Sequence, residues 1–274
     1  MPMPAPGTLA GEPEVLWHSY HRQTVMGTVV TFDLYCERDV DRRELYVRVA
    51  RARALLHRAD AVFSTWQPDS PMSRLRRGEI MATEAPPEVA SVLAACEEAR
   101  SLSGGWFDPW AMPGGVDPTG YVKGWAAQRA LGVLAMPGVA GAMVNAAGDI
   151  ASFGGLGTGR PFRVGIVGPA DRRALACVVE LCGAVATSGN YERGEHLIDP
   201  RTGRPACSVA SATVTGPELG LVDALATALA VAGQEGLEAI EGLDGHEGLV
   251  IAHDSSWHST RHFPFVPTET KAAS

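Results

Sequence analysis

Lysine is nearly absent from this chain: Lys123 and Lys271 are the only two, whereas arginine recurs throughout. An isolated compact ammonium at Lys123 stands out, because lysine and arginine present different geometries to an anion. Excess positive charge is absent as well. At a net charge of -8 the chain gains little from a phosphate backbone, so no nucleic-acid partner is expected. The five cysteines, Cys36, Cys96, Cys177, Cys182 and Cys207, are odd in number and carry no CxxC spacing. That speaks against a disulfide framework or a zinc knuckle and for buried free thiols.

Long apolar runs are missing too. None reaches the roughly 18 to 20 residues that cross a bilayer, so no membrane insertion is expected. The opening "MPMPAPGTLAGEPEV" lacks a basic n-region, an apolar h-region and a lipoprotein cysteine, so it reads as a flexible tail and not an export signal. A cytoplasmic location is the corresponding expectation. The glycines of "GGLGTGR" do not fall in G-x-G-x-x-G order and no GKS or GKT follows, which leaves a tight turn. There is no G-x-S-x-G elbow. His258 and His262 are four apart, but their segment looks β-like and offers no third ligand type.

What is present is an ample core: 274 residues with a hydrophobic fraction of 46%. "GTVVTFDLYC" alternates and is β-branched, so it predicts a strand. "DRRELYVRVARARALLHRADAVFS" places Leu45, Val49, Leu56 and Phe63 near helical spacing, and "PPEVASVLAACEEARSLSGG" has proline at a first turn and glycines at its end. A Pro/Gly-rich loop between Pro109 and Pro118 leads to a third helix from about Tyr121, and two lobes would meet at that loop. Short β-like pieces at hairpin spacing follow, "SVASATVTG" among them as an internal strand. The predicted class is α+β, with mixed, mainly antiparallel sheets and packed helices. The predicted organisation is a tail over 1–20, one two-lobed unit over 21–266 and a tail over 267–274.

Polar residues in costly places carry the chemistry. "GLVDALATALAVAG" predicts a buried helix with one carboxylate, Asp223, in its middle, and such a group must be paired, neutralised or bound to a cation. Thr227 lies one turn on, so the two side chains share a face. Hard oxygen donors of this kind suit Mg2+. The plainer alternative has Thr227 bonding back to its own helix and Asp223 paired with an arginine. In "DPTGYVKGWA", Asp117 and Thr119 stand at a helix N-terminus and Gly120 leaves a carbonyl accessible. In "SGNYERGEHLIDPRTGRPA", His196 has the chemistry of a general base, although histidine beside a turn is more often structural.

In order, "VMGT", "FSTWQPDSPMSRL", "SGGWFDPW", "DPTGYVKGWA", "VNAAGDI", "ATSGNYERGEHLIDPRTGRP" and "SATVTGPELGLVDALATAL" resemble the ApbE family of flavin transferases across most of the chain. The resemblance implies a T-fold-like unit and an FAD:protein FMN transferase. Such an enzyme takes FAD and Mg2+, attaches FMN to a threonine or serine of an acceptor protein with an Asp/Ser/Thr-rich motif, and releases AMP. It also implies Met26, Trp66, Trp106, Phe107, Asp108, Asp117, Lys123 and Ile198 at the flavin and adenosine site. Asp223, Thr227 and the Gly120 carbonyl would hold magnesium, and His196 or Asp199 would move the proton. Two readings compete: an FAD carrier without transfer, and a Mg2+-dependent FAD pyrophosphatase. The chain departs from the family where "NAAGD" puts Ala147 in place of a usual glycine.

Overall fold

The structure is a computed structural model and describes residues 16–157, 159–189, 197–206 and 208–267. It opens with β1 (Trp17–Val25) and β2 (Thr28–Cys36), an antiparallel hairpin in which Val25 pairs with Thr28. The two turn residues, Met26 and Gly27, both have positive φ, as a tight right-twisted hairpin requires. β1 begins at Trp17, so residues 17–20 of the expected tail are strand. Its pattern hides it: only Ser19 and Val25 are buried, because β1 is an edge strand with most side chains in solvent.

Next come α1 (Arg42–Phe63), α2 (Pro71–Arg76), α3 (Pro87–Leu102), a short 3-10 turn (Pro109–Ala111) and α4 (Thr119–Gly132). Asp41 caps α1 by accepting from the N–H groups of Arg43 and Glu44 at 2.9 and 3.1 Å. Leu45, Val49, Leu56 and Phe63 are buried as their spacing predicts. α2 is too short for periodicity to reveal. Its Arg76 straps the Pro/Gly-rich loop, reaching Asp117 at 2.7 Å and the Pro113 carbonyl at 2.8 Å.

The second half supplies β3 (Val139–Ala146), β4 (Asp149–Gly154), β5 (Phe162–Val167), β6 (Leu175–Leu181), β7 (Ala184–Ser188), β8 (Ile198–Asp199), β9 (Arg204–Pro205) and β10 (Ser211–Gly216). Then follow α5 (Leu219–Ala232), α6 (Gly236–Glu241), β11 (Glu247–Ile251) and β12 (Trp257–Ser259). Among the described residues eight strands form one sheet in the order β1-β2-β3-β4-β7-β10-β11-β12, every pair antiparallel. The α+β expectation therefore stands.

The sheet is buried on both faces at its centre. On one face Val30, Phe32, Leu34 and Cys36 of β2 alternate inward and join α1, α3, α4 and α5 in the main core. Small residues, Ala142, Ala146, Ala151, Ala184, Ala186 and Ala212, line that face and let helices pack close to the backbone. The opposite face puts Ile150, Val185, Leu249 and Ile251 against the β5–β6 hairpin, through Phe162, Ile166, Val179 and Leu181. Double-sided burial leaves every residue of β10 buried and none of β7 exposed, although both strands carry Ser and Thr. Removing the fully buried Phe32 ring by alanine would cost about 3 to 5 kcal/mol. Among the described residues no helix is long and apolar enough to cross a membrane.

Candidate active site

Antiparallel pairing gathers distant turns at one end of the sheet. Val30 pairs with Ala146 and Ala146 with Asp149, so the Met26-Gly27 and Ala147-Gly148 turns lie at the same end. Asp149 opens β4 there, next to the end of β7, and its Oδ1 accepts the Thr187 N–H at 3.2 Å. The turn before it holds Ala147 at φ 57 and Gly148 at φ 98, with Asn145 Oδ1 accepting the Gly148 N–H at 2.8 Å. Ala147 thus stands in the left-handed conformation that a glycine would adopt without strain.

Over this end lie α4 and α5, brought together at Gly124. A Cβ there would meet the Leu219 carbonyl oxygen and come within 3.0 Å of the Asp223 Cβ, so only glycine fits the approach. Asp223 is 3% exposed, and its Oδ2 accepts the Gly124 N–H at 3.2 Å. Helix geometry aims that same N–H at the Gly120 carbonyl. Asp223 Oδ1 lies 3.9 Å from Lys123 Nζ, and the ammonium touches Asp149 Oδ2 directly. Among the described residues, a lysine ammonium thus stands beside the buried carboxylate.

Thr227, one turn after Asp223, sits within 3.4 Å of Ser188 Oγ, and its Oγ1 would be 3.5 Å from a Cβ on Gly120. The same added Cβ would be 3.3 Å from the Phe107 ring. Phe107, Gly120, Lys123, Asp223 and Thr227 are therefore one cluster. Thr187 and Thr213 alternate to the opposite face of the sheet, with hydroxyls 2.9 Å apart. Beneath the cluster Tyr121 packs by Gly220; burial first, then the Glu218 carboxylate, pushes its phenol up and keeps it protonated.

The other expected residues surround this cluster. The Arg201 guanidinium lies 3.4 Å from the Trp106 ring centroid, which ties the β8–β9 turn, with Ile198 and Asp199, to the loop that carries Phe107. Asp199 caps its own turn, accepting from the Arg201 N–H at 2.8 Å and the Thr202 hydroxyl at 3.0 Å. Asp108 caps the 3-10 turn and pairs with Arg100 at 2.8 Å, and Asp117 pairs with Arg76 while accepting the Thr119 N–H at 3.1 Å. Met26 is half-buried against the core, and Trp66 is 92% exposed. His196 lies outside the described residues. Asp149 was missed by sequence reasoning; its one signal is a carboxylate squeezed between a two-residue turn and the apolar "IAS".

Among the described residues no group of three or more His, Cys, Asp and Glu would hold a metal. The cluster's donor set is of another kind: one carboxylate, one hydroxyl and one main-chain carbonyl, hard oxygens that fit a magnesium site completed by water and phosphate. A separate cavity of about 150 Å3 lies between α1, α3 and α4, lined by Phe63, Trp125, Arg58 and Glu88, and none of the cluster residues borders it.

Fold and site define a layered α+β protein with its polar centre where two helices meet one end of an antiparallel sheet. The model of the ApbE family matches residues 26–115 and 111–250. The chain belongs to the ApbE family. It is 37% identical over 155 residues to the FAD:protein FMN transferase of Rhodobacter capsulatus, an alignment covering 53% of this chain and 29% of that protein. With the FAD:protein FMN transferase of Escherichia coli (strain K12) it shares 31% over 169 residues, covering 56% of this chain and 48% of the relative. The chain thus spans about half or less of the curated relatives it matches. The solved flavin transferase ApbE from Vibrio cholerae superposes with a TM-score of 0.76 at 23% identity, covering 89% of this chain and 96% of that one, a likeness of fold.

Proposed function

We propose that the chain is a Mg2+-dependent FAD:protein FMN transferase, which moves FMN from FAD to a threonine or serine hydroxyl of an acceptor protein and releases AMP. The names of its curated relatives support the reaction. The observation that carries it is the meeting of the Asp223 carboxylate, the Thr227 hydroxyl and Gly120 beside a lysine. Magnesium bound to those oxygens would neutralise charge on the pyrophosphate and orient its phosphorus.

The chain's own residues supply the rest. Lys123, 25% exposed at the side chain, offers its charge to phosphate oxygens, and the N-terminus of α4 adds its positive end. Met26, Trp66, Trp106 and Phe107 offer apolar faces to the flavin and adenine rings, with Asp108, Asp117 and Ile198 shaping the surrounding loops. In the transfer, the acceptor oxygen bonds to the FMN-side phosphorus, the bond from that phosphorus to the bridging oxygen breaks, and AMP leaves with that oxygen. The hydroxyl proton passes to a base, which we assign to His196. Asp199, with both oxygens engaged by Arg201 and Thr202, orders the β8–β9 turn.

Intact-mass spectrometry tests this on purified protein mixed with FAD, Mg2+ and an acceptor that bears an Asp/Ser/Thr-rich motif. The acceptor is expected to gain one FMN, and Asp223→Ala is expected to abolish the gain while retaining the native circular dichroism spectrum. Undiminished transfer by Asp223→Ala refutes the metal role. Free FMN and AMP with an unmodified acceptor would identify a pyrophosphatase, and unchanged FAD a carrier.

A further inference from the structure

β1 is the longer of the two edges of the eight-stranded sheet, nine residues against three in β12. We propose that its outer side, together with the arginine flank of α1 that runs along it, is a docking surface for an extended acidic segment of a partner protein, which adds to the sheet as a further strand.

β1 pairs with β2 alone, in a register without breaks, and contains no proline. Val25 and Thr28 flank a two-residue turn and so form its closing hydrogen-bonded pair. Alternation then turns the N–H and C=O groups of His18, Tyr20, Arg22 and Thr24 away from β2. All four residues are exposed. The side chains of Arg53 and Gln23 donate to the Arg22 and Thr24 carbonyls at 3.5 and 3.1 Å. Among the described residues no other group bonds to this outer row, so four N–H donors and the His18 and Tyr20 carbonyls stand in line for an incoming strand.

The charge beside this edge has one sign. Residues 42–58 hold six arginines and one acid, Glu44, in a chain whose net charge is -8. Arg48 pairs with Glu44 and Arg58 with Glu88. On the flank along β1, the Arg42 guanidinium lies 4.6 Å from the Trp17 ring centroid, Tyr46 meets the His21 ring edge-on, and Arg53 reaches Arg22. Among the described residues neither Arg42 nor Arg53 forms an ion pair, and Arg53 Nε is buried without a hydrogen bond. Eleven helical steps separate these two positions by about 16 Å, a span that a strand covers in about five residues. A segment lying along β1 therefore passes both guanidiniums, and carboxylates on its α1 side would pair with them. A second copy of the chain fits poorly, because joining two β1 edges sets like charges opposite each other. A lipid surface would meet the arginines but not the row of backbone donors.

The test is a fluorescein-labelled peptide of about eight alternating glutamates and threonines, titrated with the full chain and followed by anisotropy. Binding is expected, weakening as salt is raised, and it should be lost when lysine replaces glutamate or when the peptide is fully N-methylated. Arg42→Glu/Arg53→Glu is expected to weaken it about tenfold or more, and Arg42→Glu alone about threefold. Hydrogen exchange should find the amides of His18, Tyr20, Arg22 and Thr24 open in the chain alone and protected in the complex. Equal binding of the N-methylated peptide, or undiminished binding by the double variant, overturns the inference; should the double variant not fold, undiminished binding by Arg42→Glu does so. So does protection of those amides before peptide is added, which would mean that another part of the chain or a second copy covers the edge. Recruitment to phosphatidylserine vesicles without any binding of the peptide would identify a lipid surface instead and overturn it as well.

Discussion

Replacing Gly124 by alanine would force apart the two helices that build the site. In an ordinary helix interior the change is favourable by about 1 kcal/mol, since alanine is the better helix former. Here the added Cβ would overlap the Leu219 carbonyl oxygen and lie 3.0 Å from the Asp223 Cβ. A main-chain oxygen at the start of α5 has no rotamer into which to retreat. Overpacking of this kind costs about 1 to 3 kcal/mol. Separation also stretches the Gly124 N–H bond to the Asp223 carboxylate, and a bond to a charged acceptor contributes about 1.5 to 3 kcal/mol. Against the propensity gain, a net loss of roughly 1.5 to 5 kcal/mol remains, or about 3 to 20 °C in Tm for a chain of this size. Gly132 is the internal control, because it lies in the same helix, is exposed and would meet nothing within 4 Å. Gly132→Ala should stabilise by about 0.5 kcal/mol. Thermal melts followed by circular dichroism read both variants. A Gly124→Ala protein melting at or above wild type would refute the view that the close approach holds the helices and Asp223 in place.

Ala147→Gly relieves the left-handed alanine in the β3–β4 turn and should stabilise by about 0.5 to 1 kcal/mol after the extra freedom of the unfolded chain is deducted, measured by urea unfolding; a loss of stability would mean that the turn is not strained. Trp66→Ala should leave stability within about 0.5 kcal/mol, because the side chain is 92% exposed, yet weaken FAD binding about tenfold in a fluorescence titration if the ring stacks on the flavin. Burial pushes the Cys96 thiol up to about 12 and also raises Cys36 and Cys177, whereas Cys182 is exposed. Among the described cysteines, alkylation at pH 8 with peptide mapping should therefore label Cys182 first and reach Cys36 and Cys96 only on unfolding; early labelling of Cys96 would contradict its burial.

Much of the architecture was legible because it is written in short-range pattern. The spacing of Leu45, Val49, Leu56 and Phe63 states which face of α1 is inward, and the burial of nearly all of "LGLVDALATALAVA" follows from its having no polar stripe. Asp223 and Thr227 share a face by helix periodicity alone, and the structure puts Gly120 beside them. β1 was not legible, since an edge strand needs little apolar content, and α2 was not, since six residues hold no repeat. Asp108 and Asp117 are expected as cofactor contacts and Asp199 as a candidate base, and each also caps a local turn, a use of carboxylates that motif order does not reveal.

Local patterning along the chain decides the helices, most strands, the α+β class and the oxygen pair on α5, because each depends on side chains within a few residues of one another. Which lysine neutralises which carboxylate is decided only when the sheet forms. Lys123, Asp149 and Asp223 come from α4, β4 and α5, and antiparallel register together with the glycine contact at position 124 brings their charges within reach. Electrostatic pairing across such sequence distances has no periodic signature, since it depends on where separate elements pack and not on how any one of them is spaced.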